Sequence, residues 1–430
     1  MRKILQFILK VLAKRVIHRH QPAVVGITGS VGKSFAKEAI FHVLSKKFWV
    51  WKNSENFNNE IGVPMAVLGV RPDKSKFKVI GRVLKSCWLV FGWPKQEYPR
   101  VLVLELAADK PGDIEYLTHI VRPQVGVVTA VGEVPVHVEF YASPEAVARE
   151  KSKLVEQLPA HDGLAVLNYD DQTVLEMRGK ARAKVVTFGF SPSASARGEE
   201  KGPDIWVSDI AYFATDDNRN VGGLSFKINH GNIFVPARIN NLIGVHQLYG
   251  VLAAIAVGLH FGMNLVDISS ILENVELPKH RMNLAPGIKG TVIIDDSYNA
   301  SPIAMHAALD TLRDFVKARR SLSGVRAGRK IAVLGDMREL GKYEMEAHRA
   351  IGNLVGERAD ILVTVGAAAR LIADSAANQM KAGSIFSFDT SDEAKAKVQE
   401  IIREGDVVLI KGSHAMEMEK IVKEIAQNPT

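Results

Sequence analysis

The chain has 430 residues, 47% of them hydrophobic and 24% charged, with a formal net charge of +8. That length exceeds what one core usually serves, so two or three globular domains are expected in a soluble protein. A single cysteine, Cys87, excludes an intramolecular disulfide framework and thiolate zinc sites, and it fits a reducing, cytoplasmic compartment.

The first residues, "MRKILQFILKVLAKRVIHRHQ", hold Arg2, Lys3, Lys10, Lys14, Arg15 and Arg19 and no acid. Ile4, Ile8, Leu12 and Val16 recur at helical spacing beside Leu5 and Leu9, the pattern of a basic amphipathic helix. Its apolar runs are too short to span a bilayer and no small-residue cleavage site follows, so neither an anchor nor a secretory signal is expected. Two readings stand: a terminal helix packed on the domain behind it, or a helix lying on an anionic membrane, at its inner face.

Next, "AVVGIT" reads as a buried strand and "SFAKEAIFHVLSKK" as a helix, joined through Gly29 and Gly32. Thr28, Gly29, Ser30, Val31, Gly32, Lys33 and Ser34 then form a phosphate loop. Backbone N–H groups and the positive helix end face an anion, Lys33 reaches the outer phosphates, and Ser34 can hold magnesium. Ile27 stands where the strict NTPase pattern has glycine. Further on, Lys74, Lys76, Lys78, Arg82 and Lys85 precede Trp88, Phe91 and Trp93. This segment reads as an amphipathic helix capping the sheet, or as a surface for lipid headgroups or a long substrate.

Glu105 closes the apolar strand "VLVLE", where a parallel-sheet protein sets an acid opposite its phosphate loop to hold magnesium. "IEYLTHIV", "VGVVTAV" and "PEAVAREKSKLVEQL" continue the alternation of helices with strands apolar on both faces, which indicates a parallel sheet covered on both sides. By themselves, His137 beyond a strand and Lys151 on a helix read as a satisfied structural histidine and a solvated lysine. "SPSASARGEEKGPD" reads as a flexible loop, residues 204–238 as an antiparallel edge, and "HQLYGVLAAIAVGLHF" as a helix. After the turn-rich "LPKHRMNLAPGIKG" the alternation restarts with "TVIIDDSY", "IAVLGDM", "ILVTVG" and "DVVLIKGS". The expected fold is α/β: the helix at 1–22, a central P-loop ATPase domain with a mostly parallel sheet at 23–282, and a smaller Rossmann-like α/β domain at 283–430.

In order, "TGSVGKS", "NFNNEIGVP", "LEL", "VPVHVEF", "REKSKL", "LNYDD", "GVHQLYGVLAA", "KHR", "DDSYNASP", "GDMRELG" and "KGS" resemble the Mur ligases. The likeness is strongest to the type that adds D-alanyl-D-alanine to the UDP-N-acetylmuramoyl-tripeptide of peptidoglycan. It covers roughly residues 24–421, and "NNEIGVP", "DDSYNASP" and "GDMRELG" are its most specific pieces. The resemblance implies that ATP phosphorylates a muropeptide carboxylate and that the amine of an amino acid or dipeptide attacks the acyl phosphate. It implies two magnesium ions (Mg2+), one on Ser34 and Glu105 and the other on His137 and a carbamylated Lys151. Lys33 would stabilise the transferring phosphoryl group, and Asn58 and Asn59 would face the phosphate loop and the substrate. His246 and Gln247, the latter in place of the family asparagine, would lie near the adenine, with Arg281, Asp296 and Asn299 closing over ATP. Asp336, Lys411 and Ser413 would shape the amine's pocket, where His414 replaces a usual arginine.

The family pattern begins with a UDP-binding domain, and here the basic helix stands before the phosphate loop. The substrate's diphosphate is therefore expected on the basic helix and the segment 74–85, or else the acceptor is lipid-linked. A folylpolyglutamate-synthetase-like ligase and a non-catalytic, membrane-associated scaffold are the alternatives. A monomer is expected and no nucleic-acid partner, since neither basic segment sits in a docking module. Substituting Lys33 or Glu105 should cost several kcal/mol of transition-state stabilisation, as when a key electrostatic donor is deleted, and hardly alter stability.

Overall fold

The computed structural model describes residues 2–54, 56–71, 76–92, 97–190, 202–215, 220–323 and 328–427. Lys74, Trp93, loop residues 191–201 and the side chains of Lys76, Lys78 and Lys85 lie outside that description.

Nine strands form the first sheet: β1 (Ala23–Thr28), β2 (Val50–Lys52), β3 (Val101–Glu105), β4 (Val125–Val128), β5 (Leu164–Asn168), β6 (Lys184–Gly189), β7 (Ile205–Ala214), β8 (Val221–His230) and β9 (Ile233–Asn240). Their order is β2-β3-β1-β4-β5-β6-β7-β8-β9. Pairing is parallel as far as β7 and antiparallel from there to β9, so the alternating texture after residue 204 does mark an antiparallel edge. β1, β3, β4 and β5 are buried along almost their whole length, as strands covered on both faces must be. β1 lies between β3 and β4, so successive connections leave it in opposite directions. The crevice at such a switch point, beyond the carboxyl ends of the strands, is where open α/β sheets bind ligands.

On one face, the helix α2 (Lys33–Ser45) and the apolar helix Leu248–His260 share a core with β1, β3 and β4. Ile27 points into that core and is fully buried. It is therefore a strand residue that fills space, which is why glycine is not needed there. The other face is covered by α1 (Arg2–His20), α3 (Gly62–Val67), α5 (Asp113–Val121) and α6 (Pro144–Glu156). Leu9, Leu12, Ala13, Val16 and Ile17 of α1 are buried against Val24, Leu102 and Leu104, so this part of α1 is a packed helix. Its first two turns leave Ile4, Leu5, Phe7 and Ile8 exposed. The basic and aromatic segment forms α4 (Lys76–Phe91), which packs chiefly on α1, one layer further from the strands than a helix capping the sheet. Arg19 fastens it by donating to the carbonyls of Val90 (3.0 Å) and Gly92 (2.6 Å). No helix among the described residues is long and apolar enough to cross a membrane.

The second sheet comprises β10 (Asn283–Pro286), β11 (Val292–Asp296), β12 (Lys330–Gly335), β13 (Ile361–Val365), β14 (Ile385–Phe388) and β15 (Val407–Lys411), in the order β10-β11-β15-β12-β13-β14. It is parallel except for β10. The helix Pro302–Ser323 buries Met305, Leu309, Leu312 and Phe315 on one face of it. The architecture is thus the expected one: a large, mostly parallel sheet followed by a smaller α/β unit.

Candidate active site

Between β1 and α2 the chain must turn sharply, and glycine makes this possible at two points. Gly32 has φ 86°, in the left-handed region that side chains avoid. Gly29 has φ +145°, and a Cβ there would lie 2.1 Å from Thr129 Oγ1. Thr129, just past β4, clasps the loop by donating to the Val31 carbonyl (2.6 Å), while Ser30 N–H donates to the Ala130 carbonyl (2.6 Å). The Ser30 hydroxyl is buried without a hydrogen-bond partner and lines the cleft beside the loop. A buried orphan of this kind calls for a polar ligand.

Glu105, at the end of β3, is where the charges meet. Its Oε2 accepts from Ser34 Oγ (2.9 Å), its Oε1 accepts from Asn58 Nδ2 (3.1 Å), and Lys37 Nζ stands 3.8 Å from Oε2. Burial alone would push this carboxyl up. Lys33, Lys37 and Arg281, together with the Asn58 bond, outweigh it and hold Glu105 below the usual carboxylate range. Asn53 pins the strand end, accepting from Glu105 N–H (2.9 Å) and donating to its carbonyl (3.0 Å). Lys37 is 1% exposed, and its other partners are the Asn53 carbonyl at 3.1 Å and Glu38 Oε1 at 3.7 Å. Removing Glu105 would leave that ammonium with the Glu38 carboxylate only, and Ser34 and Asn58 without their acceptor, at a cost of about 1–3 kcal/mol.

Two lysines converge on one carbonyl. Lys33 Nζ donates to Gly29 O (2.8 Å) and Ser30 O (3.2 Å), and Lys151 Nζ, from α6, donates to Gly29 O (3.1 Å). Lys151 is 1% exposed, not the solvated lysine its helical position would give alone. Burial first, and Lys33 second, push its amine down to about 7, so much of it is neutral near physiological pH. Burial also lowers Lys33, against the attraction of Glu105. His137 is held across the cleft, with Nδ1 2.6 Å from Glu339 Oε2 and Nε2 3.7 Å from Asp109 Oδ1. Asn59 caps α3, its Oδ1 accepting from Gly62 N–H (2.9 Å) and Ile61 N–H (3.2 Å).

A cleft of about 540 Å³ opens beside the loop, lined by Ser30, Gly32, Phe190, Tyr249, His246 and Arg281 among others. Phe190 and Tyr249 meet edge to face at 4.4 Å, and Tyr249 Oη donates to Asp170 (3.1 Å). Burial pushes His246 down to about 4, leaving a neutral imidazole. Gln247 Oε1 accepts from Gly244 N–H (3.2 Å), closing the turn that presents His246. From the turn before β10, the Arg281 guanidinium lies 4.2 Å over the Tyr298 ring; Tyr298 Oη bonds Asn56 across the cleft, and His414 stacks on the same ring at 5.6 Å.

Lys411 is nearly buried, donating to Asp296 Oδ2 (2.5 Å) and Asn299 O (2.9 Å). It thus lines the cleft together with Asp296 and Asn299. Asp336 is itself fully buried, accepting from Ala369 N–H (2.7 Å), with Arg338 Nη2 3.0 Å from its other oxygen. Ser413 Oγ accepts from Arg338 N–H (2.9 Å). Asp336 and Ser413 therefore brace the loop that carries Glu339 to His137. Lys37, Asn53, Thr129 and Tyr298 escaped the sequence reading. Of these only Tyr298 lay in a motif already singled out.

The adjoining oxygens of Ser34 and Glu105, with Lys33 beside them, suit a hard divalent cation such as magnesium. Among the described residues no group of three or more His, Cys, Asp and Glu side chains could hold a metal. A second ion would need a negative group at Lys151, and a carbamate on its neutral amine would supply one.

The model of the Mur ligase middle domain matches residues 93–258, and that of the Mur ligase glutamate ligase domain matches residues 280–414. The UDP-N-acetylmuramoyl-tripeptide–D-alanyl-D-alanine ligase of Mycobacterium leprae is 31% identical over 414 residues, 91% of this chain and 71% of that one. Its counterpart in Bacillus subtilis is 28% identical over 422 residues, 98% and 79% of the two chains. Among solved structures, MurF ligase from Thermotoga maritima in complex with ADP superposes with a TM-score of 0.75 at 25% identity, covering 97% of this chain and 83% of that one.

Proposed function

The chain belongs to the Mur ligase family, and on that footing we propose that it uses ATP to join D-alanyl-D-alanine, or a similar amine, to a carboxylate of a muropeptide cell-wall precursor, releasing ADP and phosphate. The observation that carries this reading is the convergence of Lys33, Ser34, Glu105, Asn58 and Lys151 around one phosphate loop at the mouth of the cleft.

A carboxylate is a poor electrophile, and phosphorylation makes its carbon reactive. The γ-phosphoryl group passes from ATP to a carboxylate oxygen and ADP leaves. The amine nitrogen then attacks the acyl carbon, the carbon–oxygen bond to phosphate breaks, and the amine gives up a proton. Lys33 and the loop N–H groups hold the triphosphate and stabilise its charge in transit. Asn58 and Asn59 stand on the acceptor side. His246, Gln247 and the Phe190–Tyr249 pair form the adenine end, and Arg281, Asp296 and Asn299 close over the nucleotide from the second sheet. Lys411 neutralises Asp296, and Asp336 and Ser413 act on the amine's pocket through the loop they brace. Magnesium on Ser34 and Glu105, with a second ion on His137 and carbamylated Lys151, would offset charge on the phosphoryl group. With Nδ1 held by Glu339, His137 would offer Nε2 to that second ion. Closure of the two units keeps water from the acyl phosphate.

All these groups come from one polypeptide, in keeping with a monomeric enzyme, and ATP use with the lone Cys87 favours the cytoplasm. Peripheral membrane contact rests on a different surface. The test is ADP release with a muropeptide and D-alanyl-D-alanine, each omitted in turn, with the product identified by mass. Release that requires both supports the proposal, and equal ATP turnover without either overturns it.

A further inference from the structure

α1 is apolar on two sides. The packed side carries Leu9, Leu12, Ala13, Val16 and Ile17. About 150° around the helix, at roughly 100° per residue, Ile4, Phe7 and Ile8 form a second stripe that Val11 and Arg15 continue. Ile4 is 66%, Phe7 65% and Ile8 45% exposed. At its far end the stripe meets α4: the Arg15 guanidinium lies 5.9 Å over the Phe91 ring, and Trp88, one turn earlier on α4, is 59% exposed. An ordinary surface helix needs one apolar face, and a second that runs on to exposed aromatics marks an interaction surface.

Charge selects the occupant. Neither α1 nor α4 contains an acidic residue, while α1 alone carries Arg2, Lys3, Lys10, Lys14, Arg15 and Arg19. Lys14 borders the apolar stripe on one side, Arg15 closes its far end, and Lys3 stands beside Ile4. Apolar residues rimmed by cations, with tryptophan and phenylalanine at the boundary, match the interface of a bilayer that bears negative headgroups. We propose that the outward face of α1, together with Trp88 and Phe91 of α4, docks on an anionic phospholipid bilayer. The surface is separate from the cleft, so the proposal does not depend on the ligase reading.

The experiment is co-sedimentation of the full chain with vesicles of phosphatidylcholine alone and with about 30% phosphatidylglycerol, at low and high salt, alongside light scattering in the absence of lipid. The variants are Phe7→Ser/Ile8→Ser, which removes exposed apolar groups only, and Lys3→Glu/Lys14→Glu, with thermal unfolding checking that each is folded. The wild type should bind the anionic vesicles, release them as salt rises, and show a blue-shifted emission that Trp88→Phe removes. Each double variant should weaken partitioning by about tenfold or more. Absence of binding to anionic vesicles at low salt would overturn the proposal, as would full binding by Phe7→Ser/Ile8→Ser. A wild-type dimer that this variant dissolves would assign the face to a second copy of the chain and also overturn it.

Discussion

Withdrawing carbon dioxide from the buffer should slow the wild-type chain and leave Lys151→Arg at its already low rate. Burial and the neighbouring Lys33 bring the Lys151 amine down to about 7 from the 10.5 of an ordinary lysine. At pH 8 about 90% of it is then neutral, against roughly 0.3% of an unperturbed lysine, a gain of about 300-fold in the form that can attack carbon dioxide. Bond formation from Nζ to that carbon, with loss of a proton, turns a neutral amine beside Lys33 into an anion. The assay is ADP release in carbon-dioxide-free and bicarbonate-supplemented buffer at pH 6.5 and 8, with carbon-13 bicarbonate and NMR detecting the carbamate. The bicarbonate effect should be larger at pH 8. The same shift has a stability counterpart. The folded state binds this proton less tightly than the unfolded chain, so the penalty is full below about pH 7 and shrinks by about 1.4 kcal/mol per unit as pH rises toward the ordinary lysine value. Wild type should therefore gain on Lys151→Met across that window. Activity at pH 8 that ignores bicarbonate, with no labelled carbamate dependent on Lys151, would refute the reasoning.

Glu105→Gln keeps the shape but leaves Lys37 with the Glu38 carboxylate only, so ADP release should fall by about 10²–10³ and urea denaturation should show about 1–3 kcal/mol less stability at pH 7. Because Glu105 is held below the usual carboxylate range, its contribution is present above an ordinary glutamate pKa and is lost as pH falls through the lowered one; the difference between wild type and variant should fade with it. Asp336→Ala strips the Ala369 N–H of its acceptor and should cost about 2–3 kcal/mol in the same denaturation assay, with little change in ATP affinity. Gly29→Ala sets a methyl 2.1 Å from Thr129 Oγ1 at a backbone angle hostile to side chains; binding of a non-hydrolysable ATP analogue, measured by calorimetry, should weaken at least about tenfold.

The parallel sheet could be read from runs such as "VLVLE" because strands buried on both faces have no polar side to disguise them. The phosphate loop was legible because Gly29 and Gly32 answer a local backbone demand that sequence displays. What joins distant segments was not legible. Lys37 looked like an ordinary residue of α2, and its burial follows only once Asn53 and Glu105 arrive from other elements. Thr129 at the phosphate loop and Tyr298 against Asn56 are likewise products of the assembled fold. The resemblance groups Lys411 with Asp336 in one pocket. β15 lies between β11 and β12, and only the assembled fold shows that the Lys411 side chain turns to Asp296 at the end of β11. In α1 helical spacing disclosed an apolar side, but only packing could show which of its two apolar sides the domain covers.

The central claim is that the acceptor carboxylate is phosphorylated before the amine arrives, and isotope tracing addresses it most directly. A muropeptide whose reacting carboxylate carries oxygen-18 would be turned over with ATP and D-alanyl-D-alanine, and the released phosphate analysed by mass. An acyl phosphate delivers one labelled oxygen to phosphate for each amide bond formed. Unlabelled phosphate, alongside amide product made at the normal rate, would contradict the account.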